Sequence, residues 1–243
     1  MKYGNLTYKE ISKYAADGAI AVVPTGCTEQ QGPHLTVDFD TWFAESISVA
    51  AADALSHDGI EVVVLPAIPF GPTPEHRDFG SGFIDLPQEI HEALISAILH
   101  SLDDQGFYRV VIWRGCGQHD LSKVVDSFNS KDSNTSVRVF QPELPYHDVW
   151  CKVGDPTVPG GHADSFTTSI ALYLRPQTVR PNLIANPQSE PVDWDDPDLS
   201  FAKYTKSGVI GDPTLASIEL GEQLWIESVA CVFRIFQSIS RKD

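Results

Sequence analysis

The sequence predicts an α/β fold, a three-layer α/β/α sandwich in which a mostly parallel sheet lies between two layers of helices. The runs "AIAVVP" (19–24) and "EVVVLP" (61–66) are apolar at consecutive positions, which is typical of parallel strands covered on both faces. Strand-like and helix-like segments alternate along the chain, as in sheets built from βαβ units. No internal repeat or Ser/Gly-rich linker interrupts the chain, so we expect a single domain over 1–243.

The elements are predicted in chain order from hydrophobic spacing and from residues typical of helix ends. A helix over 7–16, with Thr7 as its N-cap, precedes the first strand. The other predicted elements are a helix at 40–55, a strand at 61–66, a helix at 87–105, a strand at 109–113, a helix beginning near His119, a strand at 136–141, a helix beginning near His162 and a closing helix at 214–238. The acidic segment 188–201 is expected to be a solvated surface loop, with a lid over a site as the alternative.

Charge and cysteine content exclude several classes of function. The formal net charge of −16 argues against binding to nucleic acid or to an anionic membrane surface, because both need clustered Lys and Arg. The four cysteines are widely spaced and form no CxxC pair, so a reducing, cytoplasmic location is expected. The polar N-terminus indicates no signal peptide, and no apolar run reaches the ~20 residues of a membrane-spanning helix.

Polar side chains follow each of the first three predicted strands. "TGCTEQQGPH" comes after 19–24, "FGPTPEH" after 61–66 and "RGCGQHD" after 109–113. In open α/β sheets, ligands bind in the crevice beyond the carboxyl ends of the strands. The three loops are therefore predicted to meet in one functional site.

Two carboxylates in and after the first loop are candidate metal ligands. Glu29 and Asp40 supply the hard oxygen atoms that zinc or a similar divalent ion accepts. Each has a simpler alternative, since Glu29 could form a loop salt bridge and Asp40 could be the N-cap of its helix. Asp38 is interpreted as solvated or as a cap partner, and His34 as an isolated loop histidine.

The other loops add a thiol, imidazoles and a further carboxylate. Cys116 lies between two glycines, which lets the backbone approach a ligand closely, and its alternative is a small buried thiol. His162 stands at a helix start, where a lowered pKa would suit general acid–base catalysis, or it bonds a nearby carbonyl group. Glu75 and His76 either bind substrate or hold their own loop in place.

Taken together, these segments resemble the creatininase family. "PTGCTEQQGPHLTVDFDTWFA" is similar to the family motif P-x-G-S-x-E-Q-H-G-P-H-L-P-x-x-x-D, and "PFGPTPEHRDFGSGFIDL" to its second motif. "RGCGQHDL" occupies the place of N-G-H-G-G-N, and "GGHADSFTTSIAL" resembles H-A-G-E-x-E-T-S. "SGVIGDPTLASIELGEQL" resembles the C-terminal signature. The motifs occur in family order and span the chain from about residue 5 to its last helix.

The resemblance implies both a fold and an activity. Creatininase-like proteins are α/β/α sandwiches that often assemble as hexamers, so a homo-oligomer is expected, with Trp42, Trp150 and Trp194 as candidate shared contacts. Known members hydrolyse C–N bonds of cyclic or linear amides, and one branch acts in peptide-cofactor maturation. They use a two-metal centre, commonly zinc, with manganese or iron also known, which activates water and polarises the amide carbonyl group.

The family's functional residues carry over only in part. Its first glutamate ligand falls on Glu29, its bridging aspartate on Asp40, and its histidine before the last helix on His162. Its two histidine ligands fall on Gln31 and Cys116. Creatininase's further glutamate ligand falls on Gln118, and two glutamates near the metal or substrate fall on Ser165 and Thr167. Amide, thiol and hydroxyl groups therefore replace part of the usual ligand set.

The leading hypothesis is a metal-dependent amidohydrolase with an altered metal site, acting on a small-molecule amide. Glu29, Asp40 and Cys116 would hold one or two divalent ions, most simply zinc, with His34 or His119 as a possible additional ligand. A bound water would be the nucleophile, with His162 and Glu29 as catalytic residues. The predicted substrate-binding residues are Glu75, His76, Gln31, Gln118 and His119.

Two alternatives belong to other classes. The chain could be a catalytically silent family member that lacks metal and serves as a small-molecule-binding or scaffold subunit. It could also be a metal-free enzyme that uses Cys116 as nucleophile, with His119 or His162 as base. The first alternative follows from the substitutions at ligand positions, and the second from the single thiol at the third strand end.

Overall fold

The computed structural model describes residues 1–158, 160–186 and 190–241. Within this part of the chain, helices and strands alternate as predicted. Their bounds are α1 Tyr8–Ala16, β1 Ile20–Thr25, α2 Phe39–Ser56, β2 Val62–Val64, α3 Gln88–Asp104, β3 Arg109–Arg114, α4 Ser122–Asn129, β4 Arg138–Phe140, α5 Tyr146–Val153, α6 Ser165–Leu174 and α7 Ile218–Ser240. None of these helices is long and apolar enough to cross a membrane.

The four strands form one parallel sheet in the order β2-β1-β3-β4. Ile20 of β1 is paired with Val62 on one side and with Arg109 on the other. The sheet is therefore parallel throughout its described strands, as the continuous apolar runs predicted. Because β1 and β3 are neighbours, the loops that follow them meet at the same edge of the sheet.

Each face of the sheet is covered by its own layer of helices. Ile20 and Val22 of β1 pack into a core with α2, α5, α6 and α7, whereas Ala21 and Val23 pack into a second core with α1, α3 and α4. Successive strand residues point to opposite faces, so both faces must be apolar when both are covered. The predicted three-layer α/β/α arrangement is confirmed.

Several helix boundaries differ from the predicted ones because local caps set them. Thr7 is the N-cap of α1, as predicted, and it also forms a capping box with Glu10. α6 begins at Ser165 rather than near His162, because the Asp164 side chain accepts a hydrogen bond from the Thr167 amide and starts the helix there. α4 begins at Ser122 rather than near His119.

Two further differences concern the C-terminal half. α7 begins at Ile218, after Ser217 caps it, rather than at Thr214, which lies in a short 3-10 turn. α5 was not predicted, and it forms because its buried face, with Val149 and Trp150, packs onto the core on the α7 side of the sheet. A helix of eight residues is too short to be stable alone, so this tertiary burial stabilises it.

The acidic segment after α6 is only partly the predicted solvated loop. Residues 188 and 189 of the predicted range 188–201 lie outside the described residues. Asp193, Trp194 and Asp195 are exposed, as predicted, but Phe201 at the end of the segment is buried. The Trp194 ring contacts the Phe201 ring edge-on, with centroids 5.8 Å apart. The segment thus reaches the wall of the site described next.

Candidate active site

The candidate active site lies at the carboxyl ends of β1 and β3, where the first turn of α2 packs closely against both strand ends. A Cβ atom on Gly26 would lie 2.5 Å from the Cα atom of Thr41, and one on Gly115 would overlap the carbonyl group of Asp40. Only glycine permits this approach of backbone to backbone. The two glycines therefore allow Asp40 to reach the loops after both strands.

Four buried side chains form a thiol–carboxylate cluster at this point: Cys27, Glu29, Asp40 and Cys116. Their candidate ligand atoms all lie within 4.8 Å of one another. None of the four is more than 9% exposed. The structure therefore brings together the three predicted metal ligands, Glu29, Asp40 and Cys116, and adds a second thiol that the sequence reasoning did not include.

Gln31 lies between the two carboxylates of this cluster. Its amide nitrogen is 3.4 Å from Glu29 Oε1 and 3.3 Å from each carboxylate oxygen of Asp40. An amide nitrogen can only donate hydrogen bonds, so it faces the same oxygens that a cation would face. Gln31 thus links the two carboxylates where the resembled family has an imidazole.

His76 and His162 lie on the other side of Glu29, and we call them the histidine pair. His76 Nε2 is 3.4 Å from Glu29 Oε2 and 3.6 Å from Glu75 Oε1. His162 Nδ1 is 3.6 Å from Glu29 Oε1, and the two imidazole rings are 4.8 Å apart between centroids. Phe201 packs against both rings. Glu29 is therefore shared between the thiol–carboxylate cluster and the histidine pair.

Gln30 determines the tautomers of both histidines. Its side-chain oxygen accepts from the Gly32 amide at 2.9 Å, so its amide nitrogen faces the Gly208 carbonyl group at 3.1 Å and His76 Nδ1 at 2.9 Å. Because that nitrogen donates, Nδ1 of His76 must accept, and the ring proton lies on Nε2. The Gln30 backbone carbonyl group lies 2.6 Å from His162 Nε2, which must donate. His162 therefore presents a free Nδ1 lone pair towards Glu29.

Burial shifts the pKa values of the acidic groups in the cluster upwards. Burial raises the pKa of Glu29 to about 7. Burial, followed by the charge of Glu29, raises the pKa of Asp40 well above its usual range. For Cys116 a hydrogen bond with Cys27 lowers the pKa, but burial and the nearby carboxylates outweigh it, and the pKa is about 11. These neighbouring acidic groups disfavour one another's charged forms. A cation between them would stabilise those charged forms.

Burial shifts the histidines in the opposite direction. The pKa of His162 is lowered to about 3 by burial and by the neighbouring His76. The pKa of His76 is also lowered, chiefly by burial and despite nearby carboxylates. Both imidazoles are therefore neutral at physiological pH, which is the form in which a free ring nitrogen can accept a proton or bind a metal ion.

A cavity of about 620 Å³ opens in front of the cluster. Its polar lining includes Glu29, Gln31, Asp40, Glu75, His76, Cys116, Gln118 and His162. Its apolar lining includes Phe39, Phe43, Leu144, Tyr146, Trp150, Val158, Phe166, Trp194 and Phe201. No Lys or Arg is among the described residues that line it. The cavity thus suits an apolar ligand with a polar group directed at Glu29.

The remaining predicted site residues lie elsewhere. His119 does not line this cavity; its Nε2 atom is 3.1 Å from Cys27 Sγ, behind the cluster, and it could join Cys27 and Cys116 as a ligand group. His34 Nε2 is 2.8 Å from the Thr168 hydroxyl, and among the described residues His34 belongs to no group of candidate ligands. Asp38, interpreted as solvated or a cap partner, pairs with Arg175 at 2.9 Å.

Three features of the site were missed by sequence reasoning. Cys27 carried no signal of its own because an isolated cysteine is usually a small buried residue. The role of Gln30 cannot be predicted from the sequence, because its side chain contacts residues far away in the chain, including Gly208. The aromatic wall from α5, with Tyr146 and Trp150, was missed together with the helix.

The fold and the cluster define the class: an α/β protein with a candidate metal centre beyond the carboxyl ends of its central strands. Residues 4–235 match the family model Creatininase, described as creatinine amidohydrolase. The chain belongs to the creatininase family, and this membership supports a metal-dependent amidohydrolase.

Comparison with individual proteins agrees with this assignment. The chain is 26% identical over 253 residues to the mycofactocin precursor peptide peptidase of Mycobacterium tuberculosis, covering 99% of this chain and 94% of that protein. It is 22% identical to the creatinine amidohydrolase of Pseudomonas putida, covering 95% of each. A solved Zn–Zn type mutant of creatininase has the same fold, with a TM-score of 0.82 at 20% identity over 99% of this chain and 98% of that one.

Proposed function

We propose that this protein hydrolyses the C–N bond of an amide, using a divalent metal ion, most simply zinc, held by Glu29, Asp40 and Cys116. The observation that carries the proposal is the convergence of these three buried side chains, with candidate ligand atoms within 4.8 Å of one another. Family membership and a creatininase structure of Zn–Zn type support it.

The residues present fit a metal ion. Glu29 Oε2 is buried and forms no hydrogen bond with the described residues, with His76 Nε2 3.4 Å away, so it can bind a cation. The donors, carboxylate oxygens and thiol sulfur, are those that zinc accepts in proteins. When bound, a divalent ion supplies Lewis acidity to the amide carbonyl group and lowers the pKa of water.

The protein's own side chains would handle protons and position the substrate. His162 lines the cavity, its Nε2–H group is held by the Gln30 carbonyl group, and its Nδ1 lone pair can accept a proton. The same nitrogen can return that proton to the departing amine, as general acid–base catalysis of C–N hydrolysis requires. His76 presents an Nε2–H group that can donate to a substrate oxygen.

The substrate we propose is an uncharged amide with an apolar body, a small molecule in the simplest case. The cavity of about 620 Å³ lies within the range of small-molecule sites. Its aromatic walls would exclude water and bind the apolar part. The absence of Lys and Arg from its described lining leaves an anionic substrate without a cationic side chain as partner.

A peptide end is the second candidate substrate. It is favoured by the 26% identity to a peptidase whose name refers to a precursor peptide. The same aromatic walls could bind the apolar side chains of a peptide. Assays with creatinine, small aromatic amides and apolar di- and tripeptide amides would separate the two substrates by their kcat/KM values.

The metal content of the purified protein distinguishes a metal-dependent hydrolase from a catalytically silent binding subunit. Elemental analysis of protein purified without added metal or chelator should find zinc or a related ion bound. Removal of that ion by a chelator should abolish hydrolysis, and its return should restore it. If the native protein carries no metal and hydrolyses no amide in the series, the binding-subunit alternative replaces the enzyme.

We also propose a single domain and a homo-oligomer, hexameric in the simplest case, located in the cytoplasm. The exposed Trp194 stands at the cavity wall, where a neighbouring subunit could cover it. Light scattering at micromolar concentration should find an assembly larger than a monomer. A stable monomer that retains full activity contradicts the assembly proposal.

A further inference from the structure

We propose that Cys27 is a ligand of the same metal ion, so that one divalent ion is held by two thiolates, Cys27 and Cys116, together with Glu29 and Asp40. This inference rests on the proposed function and names the donor set of its site. It departs from the resembled family motif at both sulfur positions, where that motif has serine and histidine.

The geometry of the cluster suits four-coordinate binding. Zinc binds sulfur at ~2.3 Å and carboxylate oxygen at ~2.0–2.2 Å, so ligand atoms around one tetrahedral ion are roughly 3.3–3.8 Å apart. The four candidate ligand atoms already lie within 4.8 Å of one another. Small side-chain movements would therefore complete the shell.

The position of Cys27 suits a metal ligand better than a residue that only fills the apolar core. Its side chain is 0% exposed, yet it faces the polar cluster and interacts with the Cys116 thiol. His119 Nε2 approaches the Cys27 sulfur to 3.1 Å. A neutral imidazole with its proton on Nε2 would donate to a thiolate there and stabilise it, as outer-shell groups commonly do for metal ligands.

The position of His119 is itself supported by the surrounding structure. The Arg114 guanidinium group donates to the His119 carbonyl group at 3.0 Å, and the His119 ring packs directly over Gly71. The ring is therefore held behind Cys27, where it can act through that thiol. We assign His119 as a positioning residue for the Cys27 thiolate.

The same structure argues against a second ion beside the first. The amide nitrogen of Gln31 lies 3.3–3.4 Å from oxygens of Glu29 and Asp40, which are the oxygens a second ion would share. On the far side of Glu29, Gln30 leaves His76 Nε2 protonated, and a protonated ring nitrogen cannot bind a metal. Glu29, His76 and His162 also form a candidate ligand group, but with His76 Nε2 protonated it offers two free donors rather than three, which favours one ion at the two thiols.

Cobalt substitution tests the inference directly. Co²⁺ bound by thiolates gives a sulfur-to-metal charge-transfer absorption whose intensity follows the number of thiolates. We expect Cys27→Ser and Cys116→Ser each to lower that absorption by about half, since one of two soft ligands is lost. Zinc affinity should fall by more than the roughly 10–100-fold typical of losing an outer-shell partner. His119→Gln should remain within that outer-shell range.

Cys231→Ser is the matched control. Cys231 lies on α7, where its sulfur contacts Arg234 and Glu227 outside the cluster. This variant should keep the wild-type absorption and zinc affinity. If Cys27→Ser also keeps both, Cys27 is not a ligand, while the proposed hydrolase and its three-residue site stand.

X-ray absorption at the zinc edge tests the wild-type protein without any variant. The expected shell contains two sulfur atoms at ~2.3 Å and two oxygen or nitrogen atoms. A shell with one sulfur overturns the assignment of Cys27 alone. A native protein that binds no zinc and carries a Cys27–Cys116 disulfide overturns both this inference and the proposed function.

Discussion

The two sides of Glu29 differ in what they offer. On one side, the thiol–carboxylate cluster presents thiol and carboxyl groups, which can lose their protons and bind a cation. On the other side, the histidine pair presents two neutral imidazoles whose protons are assigned by a single residue, Gln30. Both sides touch the same carboxylate, and both hold candidate ligand atoms within 4.8 Å of one another, but on the histidine side the His76 nitrogen that faces Glu29 carries a proton.

One buried carboxylate here lies between a set of candidate metal ligands and a pair of imidazoles, so the proposed metal binding and proton transfer would take place on opposite sides of it. The proposed zinc ion would lie at the cluster, because sulfur is a donor that zinc accepts well. The backbone carbonyl group of Gln30 accepts from His162, and its side-chain amide donates to His76, so the two rings have opposite proton positions facing Glu29. Although this chain lacks imidazoles at two ligand positions of the resembled family motif, His76 and His162 remain beside Glu29 and could take part in the proposed proton transfer.

The largest expected effect comes from Asp40→Asn. Asp40 is the carboxylate common to the thiols and to Gln31, and the substitution keeps its shape while removing its charge. We expect bound metal and C–N hydrolysis both to fall to background, measured by elemental analysis and by amide turnover. Asp38→Asn, next to the same helix, is the control and should retain both. An Asp40→Asn enzyme that keeps its metal would show that the cluster is not the metal site.

Gln31→His should change the number of ions. An imidazole between Glu29 and Asp40 restores the ligand of the resembled family motif, and we expect bound metal to rise from about one ion to about two per chain, as in two-metal hydrolases. Gln31→Met, of similar length without a hard donor, should stay at the wild-type number. A count unchanged in Gln31→His would mean that the space between the carboxylates cannot hold a cation.

Gln30→Glu should change the proton positions of the histidine pair and leave the thiol–carboxylate cluster unchanged. A carboxylate accepts where the amide donated, so the His76 proton should move from Nε2 to Nδ1, which nitrogen-15 NMR of the imidazoles reports. Activity should fall by roughly 10–100-fold, the range for lost orienting partners, while bound metal is retained. The surface variant Gln105→Glu should change neither. Unaltered imidazole signals in Gln30→Glu would contradict the assigned role of Gln30.

The smallest expected effect concerns the stability of the metal-free protein. The pKa of Glu29 is raised to about 7 from 4.5, so the native state holds its proton more tightly than the unfolded state. The stability it contributes is therefore fully present below pH 4.5 and is lost as pH rises to about 7. Glu29→Gln has no ionisable group at this position and does not lose this stability. Between pH 4.5 and 7, its free energy of unfolding should therefore rise relative to that of the wild type by on the order of 3 kcal/mol.

Denaturant unfolding of chelated protein at several pH values measures that difference. Comparing variant with wild type cancels the opposite contributions of the buried histidines, whose lowered pKa values destabilise the fold at acid pH. A constant difference between pH 4.5 and 7 would show that Glu29 is charged in the metal-free protein.

Much of the fold could be predicted because its signals are local. The continuous apolar run of β1 indicates a strand covered on both faces, and Thr7 is a residue typical of a helix start. α5 could not be predicted from its own eight residues, because its stability depends on burying Trp150 against distant elements. Helix boundaries shifted where a side-chain cap such as Asp164 competed with hydrophobic spacing.

The amino-acid sequence was enough to predict the α/β class, the polar residues at the strand ends, the family resemblance and the ligand positions that have changed. Two features became visible only in the folded chain: Cys27 lies beside Cys116, 89 positions away in sequence, and Gln30 sets the ring protons of His76 and His162. Periodicity and capping act over a few residues, whereas a buried site is assembled from loops that parallel strands bring together. The direction of a ring proton depends on those assembled partners.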